Sequence, residues 1–183
     1  MRSNSRPKGK KVHTRNIEIS TYEDDENHIV VEGELKEDYL IPYYVSGEKR
    51  EPHTVHHMLL RLKIELASLT VKEVTVEMPG IPYDECLETS TSLDTIKGLS
   101  ISPGFTSKVK DLLRKNKKCL HLATLIHALT PAVMQGFWIY LARKPRDRGI
   151  SSGMLENYLI GTCWVWRRDG PLAKRMKQKY NNK

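Results

Sequence analysis

Cysteines, aromatic residues and export signals are all scarce in this sequence. Its 183 residues include only three cysteines, which are too few for a disulfide framework and form no C-x-x-C pair. The basic start, residues 1–15, is not followed by an apolar segment, so we expect no secretory signal. Aromatic residues make up 7% of the chain and do not alternate with basic ones, and we expect no specific nucleic-acid recognition. A reducing, cytoplasmic location follows as the expectation.

The net charge is uneven along the chain. The formal total is +8, but residues 1–15 and 167–183 each carry +6, which leaves −4 for residues 16–166. We therefore predict a basic flexible tail over residues 1–12, a single domain over 13–171 and a second basic flexible tail over 172–183. With 11 glycines, 9 prolines and 39% hydrophobic residues, the domain can bury a core of ordinary size.

The first half of the chain shows the period of two that is typical of half-buried strands. Its strongest instance places Met58, Leu60, Leu62 and Ile64 on one face, with charged residues between them. After Pro82 the pattern becomes helical. We therefore predict an α+β fold, an antiparallel sheet from the N-terminal half packed by helices from the C-terminal half.

The second half of the chain has several residues that are typical of helix starts and ends. We predict a helix over residues 87–97 that ends at Gly98, a second helix capped by Thr106 and a third that starts near Cys119. Residues 146–153 read as a loop, and the apolar segment 154–166 fits a helix or a strand.

One segment is long enough to cross a membrane. Residues 119–142 carry no charge, but histidines, threonines, a proline and a glutamine interrupt them. The first half of the segment is amphipathic. We predict a buried core helix and no membrane span.

Cysteine and histidine are the residues that could carry chemistry. Imidazole and thiolate are the ligand types that suit zinc and iron. A metal site could be closed by a set drawn from both halves of the chain, namely His56, Cys86, Cys119 and His121. In that set His121 either binds the metal or orients another ligand.

Two other functions fit the same residues. Cys119 at a helix start, close to three lysines, could be the nucleophile of a thiol enzyme with His56 or His121 as its base. Alternatively, the protein is a non-catalytic interaction module whose basic tails recruit an acidic protein partner. The bland interpretation of each cysteine is a small buried hydrophobic residue, which we favour most for Cys163.

Several motifs together resemble an uncharacterised bacterial family known only as a domain of unknown function. The matching pieces are His13-Thr14-Arg15, Val31-Glu32-Gly33, His56 with Met58 and Leu60-Arg61-Leu62, Pro82-Tyr83 with Cys86, Gly98-Leu99 with Pro103-Gly104, Cys119 with His121-Leu122, and Cys163 with Arg167 and Asp169-Gly170-Pro171. The family carries no established activity. In this chain the family's Cys-Thr-His-Leu reads Cys-Leu-His-Leu, and His57 replaces its acidic residue before the methionine.

Residues 53–130 are also similar to the U-type iron–sulfur cluster assembly scaffolds. In those proteins three cysteines and an aspartate or histidine hold zinc or a nascent cluster at one end of the sheet. Cys86 matches the middle cysteine and Cys119 the last, Thr54 falls where the first would be, and His56 stands at the aspartate. The resemblance implies a scaffold-like topology and a cofactor that is either zinc or an iron–sulfur cluster, with a role in metal or sulfur handling.

Overall fold

A four-stranded antiparallel sheet forms the centre of the molecule. The computed structural model describes residues 9–115, 117–143 and 152–181. The strands are β1 (His13–Asp25), β2 (His28–Tyr39), β3 (Tyr43–Val45), β4 (Glu48–Arg50), β5 (His53–Glu65) and β6 (Thr70–Gly80). The main sheet has the order β1-β2-β5-β6, while β3 and β4 form a separate short hairpin.

One face of this sheet is the floor of the hydrophobic core. Because side chains alternate along a strand, Ile29, Val31 and Leu35 of β2 point to the same face. The register pairs Leu35 with Met58 and Val31 with Leu62, so the predicted apolar row of β5 lies beside them and is fully buried. The predicted alternation is thereby confirmed.

The opposite face of the sheet carries several cross-strand ion pairs. Arg61 lies between Glu32 and Glu77, Lys63 Nζ lies 2.7 Å from an Asp24 carboxylate oxygen, and His57 Nε2 lies 2.6 Å from Glu34 Oε1. Such cross-strand pairs satisfy a solvated sheet face and leave only one face for packing.

In the described part of the chain, four helices follow the sheet, which confirms the predicted α+β class. They are α1 (Phe105–Lys115), α2 (Leu120–Ala142), α3 (Ser152–Tyr158) and α4 (Pro171–Asn181). The long α2 packs on β1, β2 and β5, with Leu122, Leu125 and Leu129 buried against the sheet. By length and composition alone α2 would also suit a membrane span, and a third of its apolar stretch is buried inside the protein.

The helix predicted over residues 87–97 is wrong. Two short 3-10 helices, Asp84–Thr89 and Asp94–Ile96, take its place. Hydroxyl groups compete with the helical pattern here, since Thr89 Oγ1 donates to the carbonyl of Cys86 at 2.7 Å and Thr95 Oγ1 to that of Ser92 at 3.3 Å. Gly98 ends the segment at φ +84, which suits glycine.

The other helix boundaries differ by small amounts from the predicted ones. α1 begins at Phe105, one residue before the predicted cap Thr106, and α2 begins directly after Cys119, as predicted. Of the predicted loop 146–153, residues 146–151 lie outside the described residues, and α3 already begins at Ser152.

The C-terminal helices have a small core of their own. Leu155, Ile160 and Ala173 are buried together, away from the main cluster under the sheet. The predicted tail 172–183 thus includes most of α4. Residues 1–8 of the other predicted tail lie outside the described residues, so its flexibility stays a prediction.

Candidate metal centre

A buried carboxylate lies at the end of the apolar row of β2. The row that buries Ile29, Val31 and Leu35 continues two residues further to Glu37, which is only 6% exposed. Glu37 therefore faces the core, where a charge is costly unless it is paired and hydrogen-bonded.

Four side chains surround this carboxylate. Arg15 donates to Glu37 Oε1 from Nη2 at 2.7 Å and from Nε at 3.0 Å, and His13 Nε2 lies 2.9 Å from the same oxygen. The second oxygen, Oε2, lies 2.8 Å from His56 Nδ1 and 3.3 Å from His121 Nε2. One carboxylate oxygen thus faces strand β1, and the other faces two imidazoles.

The partners keep Glu37 ionised. Burial alone would raise the pKa of Glu37, but the hydrogen bonds from Arg15, His13 and His56 outweigh burial and hold the pKa at about 2. Burial lowers the pKa of His121, and the nearby charge of His56 lowers it further. His121 is therefore favoured in the neutral form that a metal ion requires.

The two imidazoles reach the carboxylate from different elements. His56 belongs to β5, at a bulge where Glu37 pairs with His56 but Asp38 pairs with Thr54, which leaves Val55 without an opposite residue. Bulges re-aim side chains and recur beside active sites. His121 lies in the first turn of α2, and its ring centroid is 3.8 Å from that of His56.

Glu37, His56 and His121 together form a group that could hold a metal ion. Each offers one ligand atom, and these atoms all lie within 4.8 Å of one another. Around a tetrahedral zinc ion with bonds of about 2.0–2.1 Å, two ligand atoms lie roughly 3.3 Å apart. The separations of 2.8 and 3.3 Å from Glu37 Oε2 to the two imidazoles are close to that spacing.

The predicted thiol ligands lie near this group but not within it. Cys119 Sγ is 3.9 Å from His121 Nδ1, the ring nitrogen that points away from Glu37. Cys86 and Cys119 are half-buried and line the same pocket, so the two sulfurs are not separated by the core. Their role as ligands stays a prediction.

Cys163, in contrast, is exposed, and the prediction that it is buried is wrong. It lies in a surface turn where the neighbouring Trp164 is also exposed and stacks under the Arg167 guanidinium, 4.2 Å from its centre. The aromatic side chain next to Cys163 is thus held by a cation on the surface.

A pocket of about 540 Å³ opens beside His56 and His121. His56 and His121 line it together with both thiols, and Val55 and Met58 contribute buried apolar surface. Its size falls within the range of small-molecule sites. The candidate metal group is therefore accessible to a ligand from this side.

Sequence reasoning did not assign Glu37, Arg15 or His13 to the site, although His13-Thr14-Arg15 is one of the motifs of the family resemblance. A signal for Glu37 was present, because it is the acidic member of an otherwise apolar row spaced by two residues. His13 and Arg15 share the spacing of two that places both side chains on one face of β1. The contact of Glu37 with His121, 84 residues further along the chain, depends on how α2 crosses the sheet.

A family model described as a protein of unknown function (DUF2889) matches residues 13–135. No curated protein and no solved structure matches the chain. The similarity to iron–sulfur scaffolds thus finds no support, and the matched description gives no organism. The matched range includes Arg15, Glu37, His56, Cys86 and His121.

Proposed function

Since the chain belongs to the family described as a protein of unknown function (DUF2889), we propose a function from the site itself: the protein binds a divalent transition-metal ion through Glu37, His56 and His121. The observation that carries this proposal is the convergence of one carboxylate oxygen and two imidazole nitrogens within 4.8 Å, from three separate elements. A set of two histidines and one carboxylate suits zinc or ferrous iron.

The surroundings of Glu37 support the same proposal. Arg15 and His13 occupy Oε1, which leaves Oε2 directed at the two imidazoles. Outer hydrogen bonds of this kind fix the orientation of metal-binding carboxylates. A metal ion held by these three protein ligands would keep a free coordination position, at which it would polarise a carbonyl or acidify a water molecule.

An iron–sulfur cluster is the less favoured occupant. Cluster iron is held mainly by thiolates, and the close group contains two imidazoles and a carboxylate. A role in metal or sulfur handling stays within the proposal, with a mononuclear ion as the preferred form.

The test is metal analysis of full-length protein purified without chelator under anaerobic conditions. We expect close to one equivalent of zinc or iron, and its loss in His56→Asn, His121→Asn and Glu37→Gln, because removing one of three ligands weakens binding by more than about tenfold. The controls are His57→Asn and Glu34→Gln, since these residues form the same Glu–His pair between β2 and β5 on the opposite face. Metal-free wild-type protein, or equal loss in the controls, would refute the proposal.

A second candidate, a thiol-dependent enzyme, is favoured by one specific contact chain. Cys119 Sγ faces His121 Nδ1 at 3.9 Å, and His121 Nε2 faces Glu37 Oε2 at 3.3 Å. A thiol, a base and an orienting carboxylate in that order are the parts of a nucleophilic site.

Alkylation separates the two candidates. In chelator-treated protein, an activated Cys119 should react with iodoacetamide faster than the more exposed Cys163, and His121→Asn should abolish the difference. Slower reaction at Cys119, unchanged by His121→Asn, would eliminate the enzyme candidate. Cys119→Ser should leave metal binding intact, because its sulfur lies on the other side of the His121 ring.

A further inference from the structure

The pocket beside the metal group has a wall of aromatic rings. Tyr39 and Tyr43 meet edge to face, with ring centroids 4.9 Å apart, and both line the pocket. Tyr83 lines it as well, with 67% of its surface exposed, and Pro82 and Met58 add apolar surface. Walls of this kind bind flat apolar groups through offset and edge-to-face contacts.

The charged side chain that lines the pocket is positive. None of the described residues that line it carries a carboxylate, and Lys118 is the lining residue with a permanent positive charge. The neighbouring Lys117 is paired with Glu88, whereas Lys118 has no ion-pair partner in the described ranges. An exposed ammonium group at an apolar pocket is a recognition element for an anion.

We propose that this pocket binds a small aromatic carboxylate, with its ring among the tyrosines and its carboxylate on Lys118. A single ammonium matches a single carboxylate charge, and the pocket volume of about 540 Å³ accommodates a one- or two-ring acid. That the acid is a substrate of the metal centre rests on the proposed function, because His56 and His121 line the same pocket.

Calorimetric titration of full-length protein with 2-naphthoate tests the inference, in zinc-loaded and in chelator-treated samples. We expect saturable 1:1 binding, no binding of acetate, and about tenfold weaker binding of neutral 2-naphthylmethanol and of octanoate, because each lacks one of the two recognition elements. Equal binding of naphthylmethanol would refute the anion site, and equal binding of octanoate would refute the aromatic one.

Matched variants locate the two elements. Lys118→Gln should weaken naphthoate binding about tenfold, while Lys117→Gln, which removes a lysine already paired with Glu88, should not. Tyr83→Leu should weaken binding severalfold, while Tyr44→Leu, an exposed tyrosine outside the pocket lining, should not. Unchanged binding in both pocket variants would overturn the proposal.

The two proposals can fail independently, and the experiments distinguish the two failures. If chelated protein binds naphthoate with the expected dependence on Lys118 but wild-type protein holds no metal, the pocket inference stands and the metal centre does not. If metal is present and naphthoate does not bind, the pocket inference alone is refuted.

Discussion

At the scale of single residues, Glu37 is the most informative side chain. A carboxylate that is 6% exposed keeps its charge only because both oxygens have cationic or imidazole partners. Removing one partner leaves a buried charge incompletely satisfied, which costs more than an exposed ion pair ever contributes. Arg15 is therefore expected to matter for stability as well as for orientation.

The acid stability of the metal-free protein should report this carboxylate. The pKa of Glu37 is about 2 in the folded state, against an ordinary value of 4.5. Its charge therefore stabilises the fold fully above pH 4.5, and the stabilisation is lost as pH falls toward 2, since the unfolded chain takes up the proton first. In urea titrations with chelator, the stability gap between wild type and Glu37→Gln should shrink over that interval. A constant gap from pH 7 to pH 3 would contradict this account.

Sequence reasoning reached some residues of the site and not others. His56 and His121 were predicted from residue type and position at element starts, and the structure brings them together. The candidate ligands were limited to cysteine and histidine, which left Glu37 out, although its place in the alternating row of β2 marks it. The contacts of Arg15 depend on how β1 pairs with β2, which local pattern does not determine.

At the scale of elements, the close approach of α2 to the sheet positions His121. Gly33 on β2 lies under this helix, and an added Cβ there would come within 3.1–3.2 Å of Leu129 and Leu125. Gly136 on α2 meets Thr21 of β1 even more closely, since its added Cβ would lie 2.8 Å from the Thr21 Cβ and nearer still to the branch atoms. Because Gly33 and Gly136 have no side chains, α2 can pack closely against β1 and β2.

Gly136→Ala should therefore destabilise the protein. Alanine favours a helix over glycine by about 1 kcal/mol, but the overlap with Thr21 must push the helix from the sheet, and we expect a net loss of about 1–3 kcal/mol in urea unfolding. Gln135→Ala, at the exposed neighbouring position, is the control and should be nearly neutral. A stabilised Gly136→Ala variant would contradict the close contact of Gly136 with Thr21.

The strands could be predicted more reliably than the connection between sheet and helices. Alternation over β5 is enforced by burial of one face, so its pattern is legible in the chain. In residues 84–98 the hydroxyl side chains bond locally to the backbone, and the apolar spacing alone suggests a regular helix that does not form.

At the scale of the whole molecule, the described chain has two hydrophobic clusters of unequal size. The large one joins the sheet to α1 and α2, and the small one holds α3 and α4 through Leu155, Ile160 and Ala173. A cluster with so few buried side chains provides little stability of its own. Tyr158 of α3 packs against the large cluster, and its ring centroid lies 6.4 Å from that of Phe137.

Leu155→Ala should destabilise the small cluster without destabilising the large one. Replacing a fully buried leucine by alanine lowers the free energy of unfolding by about 2–5 kcal/mol. This loss is large relative to the stability that so small a cluster can provide. Amide hydrogen exchange should become fast in α4 and stay slow in α2, and metal content should be unchanged. Leu129→Ala, in the large cluster, should instead raise exchange throughout. Uniform loss of protection in Leu155→Ala would show one cooperative unit.

The pairing that places Glu37 opposite His56 makes the site depend on the correct register of β2 and β5. A slip of β2 by one residue would bring Lys36 or Asp38 to that position and turn Glu37 to the other face. Lys36 brings no carboxylate to that position, and Asp38 brings one on a side chain that is shorter by one methylene group than that of Glu37. The complete group of Glu37, His56 and His121 therefore forms only in the observed register, and a bound metal ion would favour correctly paired chains during folding.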